Sequence, residues 1–175
     1  MVINGQPLLS HAPIKDMICS KQKVHGTSYG LSEAGYDIRL KQDLRFFPKG
    51  KNGFTENTIV HKYMVDGLKN GTFSEGRFTL ASAIEEFDMP TDLVGVVHDK
   101  STWARQGVSV FNTVIEPGFE GGLTLEIVFH GNEPIHIPAG AGIAQVLFHK
   151  VQEHAQYNGK YQNQSSDPVP AIFEK

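Results

Sequence analysis

The chain of 175 residues has a single cysteine, Cys19, so no disulfide can form within it. A thiol-poor composition of this kind suits a reducing compartment, and the cytoplasm is the expected location. Charge of either sign is also scarce: the formal net charge is −3, which argues against a general nucleic-acid or membrane-surface binder. No apolar run approaches the length of a membrane span. The opening Met1 to Leu9 has no charged segment followed by an apolar one, so it does not read as a signal peptide. Zinc-ligand spacing is missing too, with no Cys-x-x-Cys and no helical His-x-x-x-His among eight histidines. His130 and His136 stand six apart and His149 and His154 five apart, as strand-end or surface histidines do.

What the chain does have is short β-branched and apolar runs divided by Gly and Pro. An opening stretch with Leu8, Leu9, Ile14, Met17 and Ile18 suggests one or two short helices. Asp37 to Leu40 alternates and ends near Phe46 and Phe47, as a first strand would, and residues 48–57 read as an exposed loop or hairpin. Phe78 to Ile84, Leu93 to His98, Val108 to Ile115, Gly122 to Phe129 and Ile143 to Val151 read as further strands. Strands at this spacing predict an all-β domain, closed or sandwiched, with no linker to divide it. Only Ser101 to Gln106 looks helical in the second half, with Ser101 or its neighbour as N-cap and Gly107 as the stop.

Two local features carry chemistry. Lys100, Ser101 and Thr102 open that helix, where free N–H groups, two hydroxyls and an ammonium suit a phosphate. Arg105 lies a turn further on and could reach a phosphate or a carboxylate. An ordinary capped surface helix fits the same residues. Glu126 stands between Leu125 and Ile127 in an apolar run. It either faces solvent from a strand whose neighbours point inward, or serves as a general acid/base in a cleft with Arg105 as a possible partner.

The blocks together are more specific. Ser28-Tyr-Gly-Leu-Ser32, Ala34-Gly-Tyr-Asp-Ile-Arg39, Lys100-Ser-Thr-Trp-Ala-Arg-Gln-Gly107, Glu116-Pro-Gly-Phe-Glu-Gly121 with Leu123-Thr-Leu-Glu126, Pro138-Ala-Gly-Ala-Gly-Ile-Ala-Gln145 and Gly159-Lys-Tyr-Gln-Asn-Gln164 follow in order along most of the chain. In that order they resemble the dCTP deaminase/dUTPase superfamily, and the Arg105…Glu126 pair resembles its deaminase branch.

The resemblance implies one domain over residues 1–175 with the dUTPase-like distorted β-barrel fold. Residues 152–175 would form a C-terminal lid, and homotrimers would carry active sites between subunits. It implies an enzyme that converts dCTP to dUTP and ammonia without zinc, Mg²⁺ entering only with the triphosphate. Glu126 would take a proton from water as it attacks C4, Arg105 would orient the glutamate and water, and Ser101 would line the same pocket. The substrate-binding set it implies is Lys100, Thr102, Thr113, Glu116, Tyr157, Lys160 and Gln164. Three alternatives stand beside this. Glu116, where dUTPases carry their water-activating aspartate, could make the enzyme bifunctional or a dUTPase alone, although its extra methylene displaces the carboxylate by a bond length. A catalytically silent nucleotide-binding regulator is the third, favoured by Asp99, which stands beside the expected phosphate site where many deaminases have Gly.

Overall fold

A computed structural model describes residues 1–48, 53–58 and 71–173, and their regular secondary structure is almost wholly β-strand. In chain order the elements are β1 (Val2–Ile3), α1 (Gly5–His11), β2 (Gln22–Val24), β3 (Thr27–Leu31), β4 (Tyr36–Arg39), β5 (Asp43–Phe47), β6 (Phe54–Thr58), β7 (Gly71–Glu75) and β8 (Phe78–Asp88). They continue with β9 (Leu93–Asp99), α2 (Ser101–Ala104), β10 (Val108–Val110), β11 (Val114–Ile115), β12 (Glu120–Phe129), β13 (Ile135–Ile137) and β14 (Gly142–Lys150). One sheet runs β11-β9-β14-β4-β3-β2, with β1 also on β14; a second runs β10-β12-β8 and a third β13-β5-β6-β7.

Two expected strands are each divided in two, for the same reason. The run from Asp37 towards Phe47 breaks at Leu40 to Gln42, where Leu40 N–H bonds Ala141 and Lys41 N–H bonds Ser82. The chain thereby leaves the first sheet and enters the third. The run from Val108 to Ile115 likewise leaves β12 after Phe111, whose N–H donates to the Glu126 carbonyl, and joins β9 through Val97 and Thr113. Each expected run spans a change of sheet, with buried residues on both sides of the crossing, Ile38 and Leu44 in the first and Val110 and Ile115 in the second. The run expected from Asp37 is moreover the fourth strand, not the first. The loop expected after Pro48 becomes the β5–β6 hairpin, whose turn lies outside the described residues.

The core lies between the sheets and joins side chains from all of them, with Tyr36, Ile38, Phe87, Leu125, Ile127 and Phe148 almost fully buried. β14 has the most enclosed position, between β9 and β4, and so reads as a nearly unbroken apolar run. Charge is also buried there. Arg39 on β4 donates through Nε to Glu85 Oε1 at 2.7 Å and through its backbone N–H to Glu85 Oε2 at 2.7 Å. Its guanidinium also lies 4.8 Å from the Tyr29 ring centroid. Burial pushes the Glu85 carboxyl up against the pull of Arg39. Removing one partner from such a pair costs about 3–5 kcal/mol, whereas replacing both with apolar groups is far milder. Arg39→Met is therefore expected to lower the urea midpoint sharply and Arg39→Met/Glu85→Leu to recover most of the loss, at matched protein concentration. A double variant as unstable as the single one would refute this reading of the pair.

Candidate active site

Strand β12 places the glutamate. Its burial alternates, with Leu123, Leu125 and Ile127 in the core and Thr124, Glu126 and Val128 on the opposite, half-buried face. That face is the floor of a cleft of about 560 Å³. The two sequence readings of Glu126 thus each hold in part: it points away from the core, but into a cleft. Its Oε2 is shielded from solvent and has no hydrogen-bond partner among the described residues. Desolvation pushes its carboxyl pKa up, opposed weakly by its own backbone N–H.

Glu116, Thr113, Tyr157 and Gln164 line the same cleft. Glu116 opens a tight turn in which Phe119 N–H returns to the Glu116 carbonyl at 3.1 Å. Pro117 presets the first corner and Gly118, at φ +75°, supplies the left-handed second one, as a type II turn requires. Gln156 and Gln162 both donate side-chain N–H groups to the Gly118 carbonyl, at 2.9 and 2.8 Å. Phe119 packs against Tyr157 with ring centroids 6.0 Å apart. Gln164 donates to Gly122 O at 3.0 Å and Thr124 Oγ1 at 2.9 Å.

The other half of the expected set lies on α2. This helix is a single turn, shorter than the expected Ser101–Gln106, with Lys100 as its N-cap and no side-chain cap bond. A turn of four residues carries little macrodipole, so any anion there would rely on local N–H groups and hydroxyls. Trp103 anchors the turn through Nε1 to Gly142 O at 2.8 Å. Ser101, Thr102 and Arg105 are exposed. No hydrogen bond or ion pair joins Arg105 to Glu126 among the described residues, so the expected pairing is not made within one chain.

Lys100 is more engaged than its sequence position suggests. Its ammonium donates to Asp37 Oδ2 at 2.6 Å and to Ser28 Oγ at 2.9 Å. Ser28 donates to the same carboxylate oxygen at 2.6 Å, and Gln145 donates to Oδ1 at 3.1 Å. Asp99 turns away from this group and accepts the Val110 N–H at 2.7 Å. Lys160 donates to the Ile172 carbonyl and lies outside the cleft lining. Among the described residues no three His, Cys, Asp or Glu side chains gather in a metal-binding group. No described helix is long and apolar enough to cross a membrane.

Sequence reasoning missed Thr124, Tyr161 and Val169, which also line the cleft. Thr124 was accessible to it, since a residue two before Glu126 on a strand shares its face. Tyr161 and Val169 were not, because they belong to a tail without periodicity.

This is an all-β architecture of the dUTPase kind with a carboxylate-floored cleft. A mutant dUTPase from phage phi11 of S. aureus, described with a structural Mg(II) ion, matches it with a TM-score of 0.50. At 12% identity, the match covers 83% of this chain and 92% of that one. The family model described as dCTP deaminase-like matches residues 8–151. The dCTP deaminase of Campylobacter hominis is 40% identical over 154 residues, covering 84% of this chain and 81% of that protein. That of Helicobacter pylori strain G27 is 37% identical over 180 residues, covering 95% and 93%. The chain belongs to the dCTP deaminase-like family and is an enzyme of that type.

A desolvated carboxylate without a partner costs stability whenever it is ionised. Because its folded pKa is raised, the cost is absent below the ordinary carboxylate pKa and builds as pH rises through the folded value. In the free subunit, where no second chain meets Glu126, Glu126→Gln is therefore expected to raise the thermal midpoint at pH 7 and to leave it unchanged near pH 4. An equal shift at both pH values would mean that desolvation is not the cause.

Proposed function

We propose that this chain catalyses the zinc-independent hydrolytic deamination of dCTP to dUTP and ammonia, with Glu126 activating water at C4 of the base. The observation that carries this reading is the unpartnered Oε2 of Glu126 on the floor of the cleft. A carboxyl whose pKa is raised by burial is suited to take a proton from water and return it. Attack of that oxygen on C4 places charge on the ring, and the proton held by Glu126 goes to N3. A second transfer, from the new hydroxyl to the departing amine, releases ammonia and leaves the uracil carbonyl. Mg²⁺ enters as part of the nucleotide; the chain supplies no ligand cluster of His, Cys, Asp or Glu for it among the described residues.

In this reading the site is completed by a second copy. Arg105 and Ser101 of one subunit face Glu126 of its neighbour in a homotrimer, Arg105 fixing the carboxylate and water. Three observations support this. Glu126 Oε2 lacks a hydrogen-bond partner among the described residues, Arg105 and Ser101 are exposed, and apolar side chains crowd the cleft edge. Phe78 is 46%, Phe111 50% and Val114 54% exposed, and half-exposed apolar side chains grouped beside a cleft suit a partner surface. Thr102 and Lys160 bind the triphosphate, with Tyr157 and Gln164 on the lid formed by residues 152–175 of this single domain. Lys100 has given two of its three N–H groups to Asp37 and Ser28; a phosphate takes the third or displaces the carboxylate. Thr113 and Glu116 border the base and sugar. The enzyme works in the cytoplasm.

One observation favours a second reading. Glu116 lines the same cleft as Glu126, so a bifunctional enzyme that also cleaves dUTP to dUMP and diphosphate has both carboxylates in reach. Incubation with Mg²⁺ and either dCTP or dUTP, with products separated by ion exchange, decides between them. We expect dCTP to give dUTP and dUTP to remain intact; dUMP from both would establish the bifunctional enzyme, and no product from either would overturn both readings. Glu126→Gln is expected to abolish deamination and leave nucleotide affinity within a few-fold.

The shared site has its own test. Arg105→Ala and Glu126→Gln should each be inactive alone, yet subunits of the two, mixed and reassembled, should regain about a quarter of parental activity, since random assembly places both intact residues at that share of interfaces. Mixtures that stay inactive while assembling normally would place both residues in one chain's site.

A further inference from the structure

β8 and β12 pair so that Ser82 stands opposite Thr124, and both hydroxyls hold the same passing segment of tail. Thr124 Oγ1 accepts the Gln164 Nε2–H at 2.9 Å and the Val169 backbone N–H at 3.0 Å, which uses both its lone pairs. Ser82 Oγ donates to the Ser166 carbonyl at 2.9 Å. The direction of that bond is set from behind. Gln42, fully buried, donates to Ser82 Oγ at 2.8 Å and accepts the Ser82 N–H at 2.7 Å, leaving the hydroxyl hydrogen for Ser166. Lys41 adds its ammonium to the Ser166 carbonyl at 2.8 Å and to Asp167 at 2.8 Å.

The barrel side is shaped to receive this segment. Gly121 forms a parallel bridge with Gln164, and Gly122 N–H donates to Gln164 O at 2.9 Å. A Cβ on Gly122 would stand 2.5 Å from the Ser165 carbonyl oxygen and 2.8 Å from Ser166 Cα, so no other residue lets the tail come this close. The register of β8 and β12 shifts between Gly122 and Thr124, and such an irregularity re-aims side chains next to a site. Beyond the latch, Val169 and Ala171 become part of the cleft lining.

We infer that Thr124 and Ser82 form a hydroxyl latch that seats residues 164–169 against β12, and that Thr124 is a positioning residue which aims Gln164 and the Val169 wall at the cleft above Glu126. The latch acts on whatever nucleotide the cleft takes; that this is dCTP rests on the reading above. Closing the wall separates the carboxylate and its reacting water from bulk solvent and prepays the ordering of the tail, so its effect falls on substrate binding more than on the chemical step.

The test is Thr124→Val, which keeps shape and removes the acceptor, beside Thr124→Ser, which restores it. Gly122→Ala is the second variant, pushing the tail off by contact while every hydroxyl stays. Hydrogen exchange of the tail peptide containing Val169 and steady-state kinetics with Mg²⁺ and dCTP are read together. Thr124→Val and Gly122→Ala should speed exchange at Val169 and raise KM about fivefold or more, the loss expected for one or two hydrogen bonds, with a smaller change in kcat. Thr124→Ser should behave as the parent does. Exchange unchanged in both disruptive variants overturns the latch, and faster exchange with KM unchanged overturns the positioning role. If the parent turns over no dCTP, the functional reading fails separately, while the exchange result still supports or overturns the latch.

Discussion

Strand β4 carries two charges on one face, Asp37 and Arg39, and the partners of those charges lie on the two elements that bear the site. Asp37 holds Lys100, the N-cap of α2, and so fixes the turn that presents Ser101, Thr102 and Arg105. Arg39 holds Glu85 on β8, the strand that pairs with β12 and its Glu126. Neither charge can be left alone inside the sheets, because an unpaired buried ion costs more than the pair contributes. The two halves of the site are therefore tied to a common reference by interactions that are weak as stabilisers and demanding in geometry. Ser28, Gln145 and Ser32 reinforce the first of them: Gln145 donates to both Asp37 and Ser32.

This arrangement explains what the sequence revealed and what it did not. Glu126 was legible because a carboxylate in an apolar strand is chemically out of place wherever it points, and the short turn after Asp99 was legible from its stop at Gly107. The partners were not. Nothing in the spacing of Lys100 tells that its ammonium meets a carboxylate 63 positions earlier, so a residue that reads locally as a free phosphate ligand is largely spent on the fold. The same limit applies to Arg105 and Glu126: residue type and resemblance suggested a pair, yet no hydrogen bond or ion pair joins them among the described residues. Apolar periodicity reports burial, and both flanks of a crossing are buried, so Val108 to Ile115 read as one strand. The tail from Gln156 onwards has no periodicity at all, and its position is written in the glycines and hydroxyls of the distant strand pair β8–β12.

Stability and chemistry make opposite demands at Glu126. The strand that bears it is held from beneath by Leu125 and Ile127, which are almost completely buried, so the backbone that presents the carboxylate to the cleft is fixed by the core. The carboxylate is held in a poorly solvated position by residues that have no chemical role, which is how a folded chain keeps a base with a raised pKa.

The same reasoning bears on how an anionic substrate is recognised by a chain of net charge −3. Three lysines that could meet a phosphate are already occupied: Lys100 by Asp37, Lys41 by Asp167 and Ser166, and Lys160 by a tail carbonyl. A fixed array of free ammonium groups would attract any polyanion, nucleic acid included. Cations that must first exchange a protein partner for a phosphate reward only a ligand that also fills the cleft and keeps the tail seated. Recognition then depends less on the long-range field than on the fit of one nucleotide against β12, and the scarcity of free positive charge becomes a source of discrimination.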